Sequence, residues 1–112
     1  MDYAWKIIKL KYRDEVNDDG VTLPNSVVRV DWKKIATDTD GTSATYTGIT
    51  NLSAKAVAEN DFVALGNLDK DTVVGWLTSS ISDTDMKAIN KILANKVEKN
   101  RNSTNELAPV WG

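Results

Sequence analysis

The side chains best suited to chemistry in this chain are carboxylates, serines and lysines, because the sequence contains no histidine and no cysteine. The commonest general base and the readiest nucleophile are therefore missing. Ser79-Ser80 and Ser103-Thr104 have no imidazole to activate them. No glycine-rich phosphate loop follows a strand. These residues predict a protein that is not an enzyme and that uses no cofactor.

Two acidic segments resemble fragments of calcium-binding loops. They are Asn17-Asp18-Asp19-Gly20 and Asp38-x-Asp40-Gly41. A complete calcium loop needs further oxygen ligands, including a bidentate glutamate about six residues after the glycine. Ser26 and Thr47 occupy those positions here. Both segments are therefore predicted to be ordinary turns, in which Asp, Asn and Gly are favoured, and no metal site is expected.

A basic stripe is the first candidate binding feature. Lys9 and Lys11, flanked by Lys6 and Arg13, alternate with apolar and aromatic side chains. Basic residues interleaved with aromatics suit single-stranded nucleic acid, whereas lysines along a strand also protect a solvated edge. Fourteen basic and sixteen acidic residues give a net charge of −2, which favours the second interpretation. We expect no nucleic-acid partner, and we keep Lys9 and Lys11 as candidate residues for binding a protein.

The C-terminal segment is the second candidate. Residues 100–106 contain no apolar side chain and are predicted to form an exposed linker. The apolar residues Leu107, Pro109, Val110 and Trp111 follow it. Proline lowers the entropy lost on ordering, and tryptophan is a preferred interface anchor. This segment can dock on its own domain or in a groove of a neighbouring copy, and the sequence leaves both alternatives open.

The chain length predicts a single domain. At 112 residues it can bury one core without disulfides or metals. We assign residues 1–99 to this α+β domain and residues 100–112 to the polar linker and apolar tail. No signal peptide is evident at the N-terminus, and no apolar run approaches the roughly twenty residues of a membrane span. No membrane partner is expected.

Residues 3–13 predict the first strand. A perfectly regular strand would place its apolar residues on both faces. A β-bulge between Ile7 and Leu10 would bring Trp5, Ile7, Leu10 and Tyr12 to one face. The alternative is a strand buried on both sides, and the interleaved lysines favour the bulge because they require a wet face.

Two further strands are predicted. Residues 26–36 alternate most regularly, with Val28, Val30 and Trp32 in one phase. Residues 42–49 follow a second turn and place Ala44 and Tyr46 on one face. Acidic, glycine-containing turns between alternating segments predict an antiparallel meander. Residues 50–67 stay ambiguous between a fourth strand and a short helical turn.

From Leu68 the apolar period becomes helical. Asp69 or Asp71 can cap a first helix, and Gly75 inside it costs about 1 kcal/mol relative to alanine. That cost is acceptable if the backbone at Gly75 packs closely against a neighbour such as an aromatic ring. A second helix follows Ser82, whose hydroxyl with Asp85 approximates a capping box.

These elements predict an α+β fold. An antiparallel sheet of three to four strands carries a C-terminal helical hairpin on one face, and its other face is wet or binds a partner. The predicted core is Trp5, Ile7, Leu10, Val28, Val30, Trp32, Tyr46, Phe62, Val73, Leu77, Ile89, Ile92 and Leu93.

Short motifs spread along the chain carry a family resemblance. They are Trp5-x-Ile7, Val28-x-Val30-x-Trp32, Tyr46-Thr-Gly48, Val73-Val74-Gly75-Trp76-Leu77 and Pro109-Val110-Trp111. In this order they resemble a family of small uncharacterised proteins of tailed bacteriophages, whose tail is often richer in proline.

The resemblance implies a phage origin and supplies no catalytic residues. It implies a structural or accessory protein that acts through protein–protein contacts, as a virion component in capsid decoration, neck or tail. The alternative is a small host-takeover factor that binds one host protein. The expected partner is a second copy, which would make a homo-oligomer, or another virion protein, and the expected location is the virion or the host cytoplasm.

Overall fold

Three antiparallel strands form a sheet in the order β1–β2–β3, and two helices follow them along the chain. The computed structural model describes residues 1–101. The elements are β1 (Asp2–Val16), β2 (Thr22–Thr37), β3 (Ser43–Asn51), α1 (Lys70–Ser80) and α2 (Asp83–Arg101). The predicted α+β fold, with its antiparallel sheet and C-terminal helical hairpin, is confirmed. Between β3 and α1 the described chain forms no fourth strand, but two short 3₁₀ turns, Glu59–Asp61 and Leu65–Asn67.

The predicted bulge in β1 is present. The β1–β2 register shifts between Ile7 and Lys9, so that Ile7 pairs with Trp32 and Leu10 pairs with Val30. Trp5, Ile7 and Leu10 therefore all pack against the core cluster, as expected. A regular strand would have turned Leu10 to the opposite face, because side chains alternate with a period of two.

A second register shift was not predicted, and it changes which residues enter the core. β1 advances from Lys11 to Tyr12 while β2 passes from Arg29 to Val27. Val27 is consequently buried and Val28 is only half-buried, so the prediction of Val28 in the core is wrong. Tyr12, predicted on the core side, is 54% exposed.

The core lies between one face of the sheet and the two helices. α1 contacts β1, whereas α2 contacts β2 and β3. Trp32 is at its centre: it meets Trp5 edge-on at 5.2 Å between ring centroids, stacks with Tyr46 at 5.8 Å and donates its indole N–H to Thr50 Oγ1 at 2.9 Å. The buried cluster comprises Val27, Val30, Trp32, Ala36, Ala44, Val73, Leu77, Ile89, Leu93 and Val97.

Two further residues predicted in the core, one in α2 and one in the loop before α1, lie outside it. Ile92 is 41% exposed, because α2 buries the narrow stripe Ile89, Leu93 and Val97 at four-residue spacing and Ile92 falls beside it. Phe62 is half-buried and lines a cavity instead of joining the core cluster.

The glycine that accommodates an aromatic ring lies in β3, not in α1. A Cβ built on Gly48 would lie 2.6 Å from Cε2 and Cη2 of Trp32 and closer still to Cζ2. A Cβ built on Gly75 would meet no heavy atom within 4 Å. The condition stated for Gly75, close packing against a neighbour, is therefore not met, and α1 contains this glycine with no packing gain.

Side chains at the helix starts satisfy free backbone N–H groups, as predicted. The Asp69 carboxylate accepts from Thr72 N at 2.8 Å, and Ser82 Oγ accepts from Asp85 N at 3.1 Å. α2 continues through Arg101, so Asn100 and Arg101, assigned to the linker from the sequence, are its last two residues. Neither described helix combines the length and apolar character needed to cross a bilayer.

Candidate functional site

The sheet face turned away from the helices is the most distinctive surface of the described chain. Alternation along the three strands places polar, charged and β-branched side chains there. We call this surface the open face. We restrict this name to positions 4–11 of β1 and the residues that extend the same surface across β2 and β3, so that Asp2, in the same phase at the start of β1, lies outside it. Its residues are Ala4, Lys6, Ile8, Lys9 and Lys11 of β1, Arg29, Asp31, Lys33 and Ile35 of β2, and Thr45, Thr47 and Ile49 of β3.

Like charges lie directly opposite one another on the open face. Lys6 pairs with Lys33, and Lys11 pairs with Arg29. Opposed residues of an antiparallel pair have Cβ atoms about 5 Å apart, and like charges at that separation destabilise the sheet. Between the two pairs, Lys9 is opposite Asp31. The open face thus carries five cations against one carboxylate, a net charge of +4 in a chain whose total is −2.

The single carboxylate is already engaged. Arg29 Nε donates to Asp31 Oδ1 at 2.7 Å. This hydrogen bond, together with the charges of Arg29, Lys9 and Lys11, lowers the pKa of Asp31. Asp31 is therefore ionised at neutral pH and offsets only part of the cationic charge around it.

Apolar side chains lie among these charges. Ile8, the bulged residue of β1, is 52% exposed, and Ile49 of β3 is 58% exposed. Thr45 and Thr47 on the edge strand are also exposed. Ile8 and Ile49 thus add separate apolar side chains to a mainly charged surface; single exposed isoleucines are common on proteins, and the charge distribution is what distinguishes this face. The aromatic side chains Tyr3, Trp5, Trp32 and Tyr46, by contrast, all belong to the opposite, helix-covered side.

Lys34 is the one lysine that the described fold buries, at 5% exposure. Its Nζ donates to Asn90 Oδ1 at 2.7 Å and lies 4.9 Å from the ring centroid of Tyr3 and 5.0 Å from that of Trp5. Burial lowers its pKa. Its phase in β2, shared with Val30 and Trp32, was the signal that could have predicted this burial. These contacts tie β2 to α2, so Lys34 is explained as a structural residue.

A cavity of about 200 Å³ lies at the end of α1. Val57, Phe62 and Trp76 supply apolar walls, and Ser79 and Ser80 reach its rim. Histidine and cysteine do not occur in the chain, and the described residues that line the cavity include no lysine. Asp61 is the carboxylate among the described residues that line the cavity, and no hydrogen bond joins it to Ser79 or Ser80 in the described structure.

Both calcium-like segments are turns. Asn17 is buried, and its Oδ1 accepts from Asp19 N and Val21 N. At the other turn, Arg101 of α2 binds both Asp38 and Asp40. The hydrogen bond from Arg101, with those from Thr42, lowers the pKa of Asp40 to about 2. Within residues 1–101, no cluster of three or more acidic side chains is arranged to hold a metal ion.

The structure brings only part of the predicted binding set together. Lys9 and Lys11 lie side by side on the open face. Leu107, Pro109, Val110 and Trp111 lie outside the described residues. Arg29 and Lys33 were not predicted as partners of the β1 lysines, because the strand pairing that opposes them is not visible in either segment alone.

The open sheet and its two covering helices define a small α+β domain. The chain belongs to a family described as a domain of unknown function (DUF7936), whose model matches residues 1–111. No curated protein and no solved structure matches the chain.

Proposed function

We propose that this domain is a non-enzymatic bacteriophage structural or accessory protein that works through protein–protein contacts. The observation that carries the proposal is the open face. Both helices pack on one side of the sheet, and the other side exposes five cations and two isoleucines within the described chain. A sheet face that only needed to be soluble would mix its charges, because opposed like charges cost stability.

The chemistry of the remaining side chains supports binding over catalysis. The chain lacks histidine and cysteine, and Lys34, the one strongly buried cation of residues 1–101, is enclosed by Asn90, Tyr3 and Trp5. General acid–base or nucleophilic catalysis needs a positioned group with access to substrate. Recognition needs only a surface, and the open face offers one.

The composition of the open face favours a protein over a nucleic acid as partner. Proteins that hold single strands stack bases on aromatic side chains, whereas Trp5, Trp32 and Tyr46 pack on the helix-covered side and the open-face residues include no aromatic ring. The virion setting, in capsid decoration, neck or tail, comes from the resemblance to the tailed-phage family.

Quantitative mass spectrometry of purified phage particles tests this function. We expect the protein in many copies per particle. We expect the double variant Lys9→Glu/Lys11→Glu to lower that copy number, because it reduces the net charge of the open face from +4 to 0. The matched control Lys87→Glu/Lys91→Glu makes the same change of charge on exposed positions of α2 and should leave the copy number unchanged.

Two results would contradict the proposal. Absence from particles together with capture of one host protein would support the host-takeover alternative. A turnover activity that survives extensive purification and disappears in a single-residue variant would show an enzyme.

A further inference from the structure

The β1–β2 hairpin carries both signs of charge, separated along its length. The open face forms its cationic middle. Four carboxylates lie around the turn that joins the strands: Asp14, Glu15, Asp18 and Asp19. Arg13, paired with Glu15 at 3.5 Å, and Lys55 are the cations beside them.

The turn holds its carboxylates in a defined place. The buried Asn17 accepts two backbone hydrogen bonds within the turn and donates Nδ2 to Val57 O at 2.9 Å. Asp18 N donates to Lys55 O at 2.8 Å. The turn is therefore hydrogen-bonded to the segment after β3, and its Asp18 and Asp19 are exposed.

The centre of the cationic region lies far from the tip of the turn, although the two regions meet at their nearest members. Lys11 and Asp14 are three positions apart in β1, about 10 Å at about 3.3 Å per residue. Lys9 is seven positions from Val16, where β1 ends, which is about 23 Å, or about twice the screening length at 0.1 M salt. Asp18 and Asp19, in the turn beyond Val16, therefore offset the charge around Lys9 only weakly within one molecule.

We infer that the open face binds a second copy of this chain, in an antiparallel arrangement that lays the acidic turn of each copy over the cations of the other. A surface with a positive middle and a negative end is complementary to itself when one copy is rotated by half a turn. Such a contact is isologous, so it forms twice in one dimer and then closes. The inference deepens the proposed function and rests on it, since it names the partner of the same face.

The contact would relieve the opposed like charges. Carboxylates from the partner's turn would lie between Lys11 and Arg29 and beside Lys6 and Lys33. Ile8 and Ile49 would lose their exposure at the same time. A long nucleic acid fits this surface less well, because its phosphates would pass the four carboxylates at the end of the same hairpin.

Light scattering of the full chain after size exclusion tests the inference. At about 0.1 M salt we expect twice the monomer mass of 12.3 kDa, and at about 1 M salt, where the screening length is about 3 Å, we expect the monomer. Lys9→Glu/Lys11→Glu and Asp18→Lys/Asp19→Lys should each be monomeric at about 0.1 M salt. Lys87→Glu/Lys91→Glu, the matched control, should remain dimeric.

A mixing experiment removes misfolding as an explanation. The first variant has an open face of zero net charge and keeps the acidic turn, whereas the second keeps the cationic open face and has a turn of positive net charge. The first variant has no attraction between its own turn and face, and the second repels itself, yet the acidic turn of the first complements the cationic face of the second at one of the two contacts. We therefore expect an equimolar mixture of the two monomeric variants to form a heterodimer.

Three results would overturn the inference. The first is a wild-type chain that stays monomeric at low salt, and the second is a mixture of the two variants that stays monomeric. The third is a wild-type monomer that binds an oligothymidylate tightly, if Lys9→Glu/Lys11→Glu abolishes that binding. A monomer that is nonetheless abundant in particles would refute the self-contact and leave the proposed function standing.

Discussion

One substitution, glycine to alanine, should have opposite effects at two positions of this domain. Gly48 in β3 lies against the indole of Trp32, and a Cβ there would come within 2.6 Å of two ring carbons. Gly75 in α1 is exposed, and a Cβ there would meet no heavy atom within 4 Å. We expect Gly48→Ala to destabilise the domain and Gly75→Ala to stabilise it.

The expected loss at Gly48 follows from how firmly Trp32 is held. Its ring meets Trp5 at 5.2 Å and Tyr46 at 5.8 Å, and its N–H donates to Thr50. The ring cannot move away without breaking one of these contacts. Overpacking of this kind costs about 1–3 kcal/mol, and alanine regains about 0.5–1 kcal/mol of backbone entropy, so a net loss of about 1–2 kcal/mol is expected.

The expected gain at Gly75 is about 1 kcal/mol, because only helix propensity changes. The two variants should therefore differ by about 2–3 kcal/mol in the free energy of unfolding. With a urea m-value of about 2 kcal/mol/M, their unfolding midpoints should differ by about 1 M or more. Equilibrium urea unfolding, followed by tryptophan fluorescence and far-UV circular dichroism, measures this difference.

A third variant checks the cause. In a Trp32→Phe background the ring carbons that oppose a Cβ at position 48 are largely removed. The cost of Gly48→Ala should then fall by more than half. A full cost that persists without the indole would refute the steric explanation, as would a Gly48→Ala variant as stable as the wild type.

The remaining predictions concern other regions. Arg101→Gln should remove a pH-dependent contribution to stability, because Arg101 binds Asp40 and lowers its folded pKa from the usual 3.8 to about 2. In the wild type this contribution is present above about pH 4 and is lost as the pH falls towards 2. Thermal unfolding of both proteins as a function of pH measures the difference. Burial lowers the pKa of Lys34 below 10.5, so the unfolded chain binds more protons at this position and the stability of the wild type should rise as the pH approaches 10.5. Lys34→Met should lack this rise. The same pH dependence of unfolding in both proteins would contradict the burial of this charge. Ser82→Ala should lower the free energy of unfolding by about 1 kcal/mol, because it removes the N-cap hydrogen bond to Asp85 N. Thr84→Ala, which leaves that hydrogen bond in place, is the control, and urea unfolding measures both. Deletion of residues 107–112 should weaken self-association measured by light scattering, and a deletion that leaves the oligomer unchanged would assign that segment to another role.

Much of the fold was predictable because its signals are local. The bulge near Ile8 was visible in β1 alone, since lysines and apolar residues there fit one wet and one dry face only if the phase changes. The caps at Asp69 and Ser82 were visible for the same reason, because a cap involves residues three apart. Propensity and period act over a few residues, and the sequence shows them directly.

The candidate site was only half predictable. Lys9 and Lys11 stood out as a basic stripe, but their interpretation changed once Arg29 and Lys33 were seen opposite the β1 lysines. The second register shift, which buries Val27 in the core instead of Val28, depends on how β1 and β2 pair and cannot be read from either strand alone.

The sequence by itself determined the three strands, the two helices, the acidic turns and the absence of histidine and cysteine. Only the tertiary structure decided which glycine must stay small, which lysine is buried and which cations share a surface. Gly48, Lys34 and Lys33 have these roles because of residues 16 to 56 positions away. Periodicity reports which way a side chain points from its own strand, whereas contacts depend on the strand or helix that arrives opposite it.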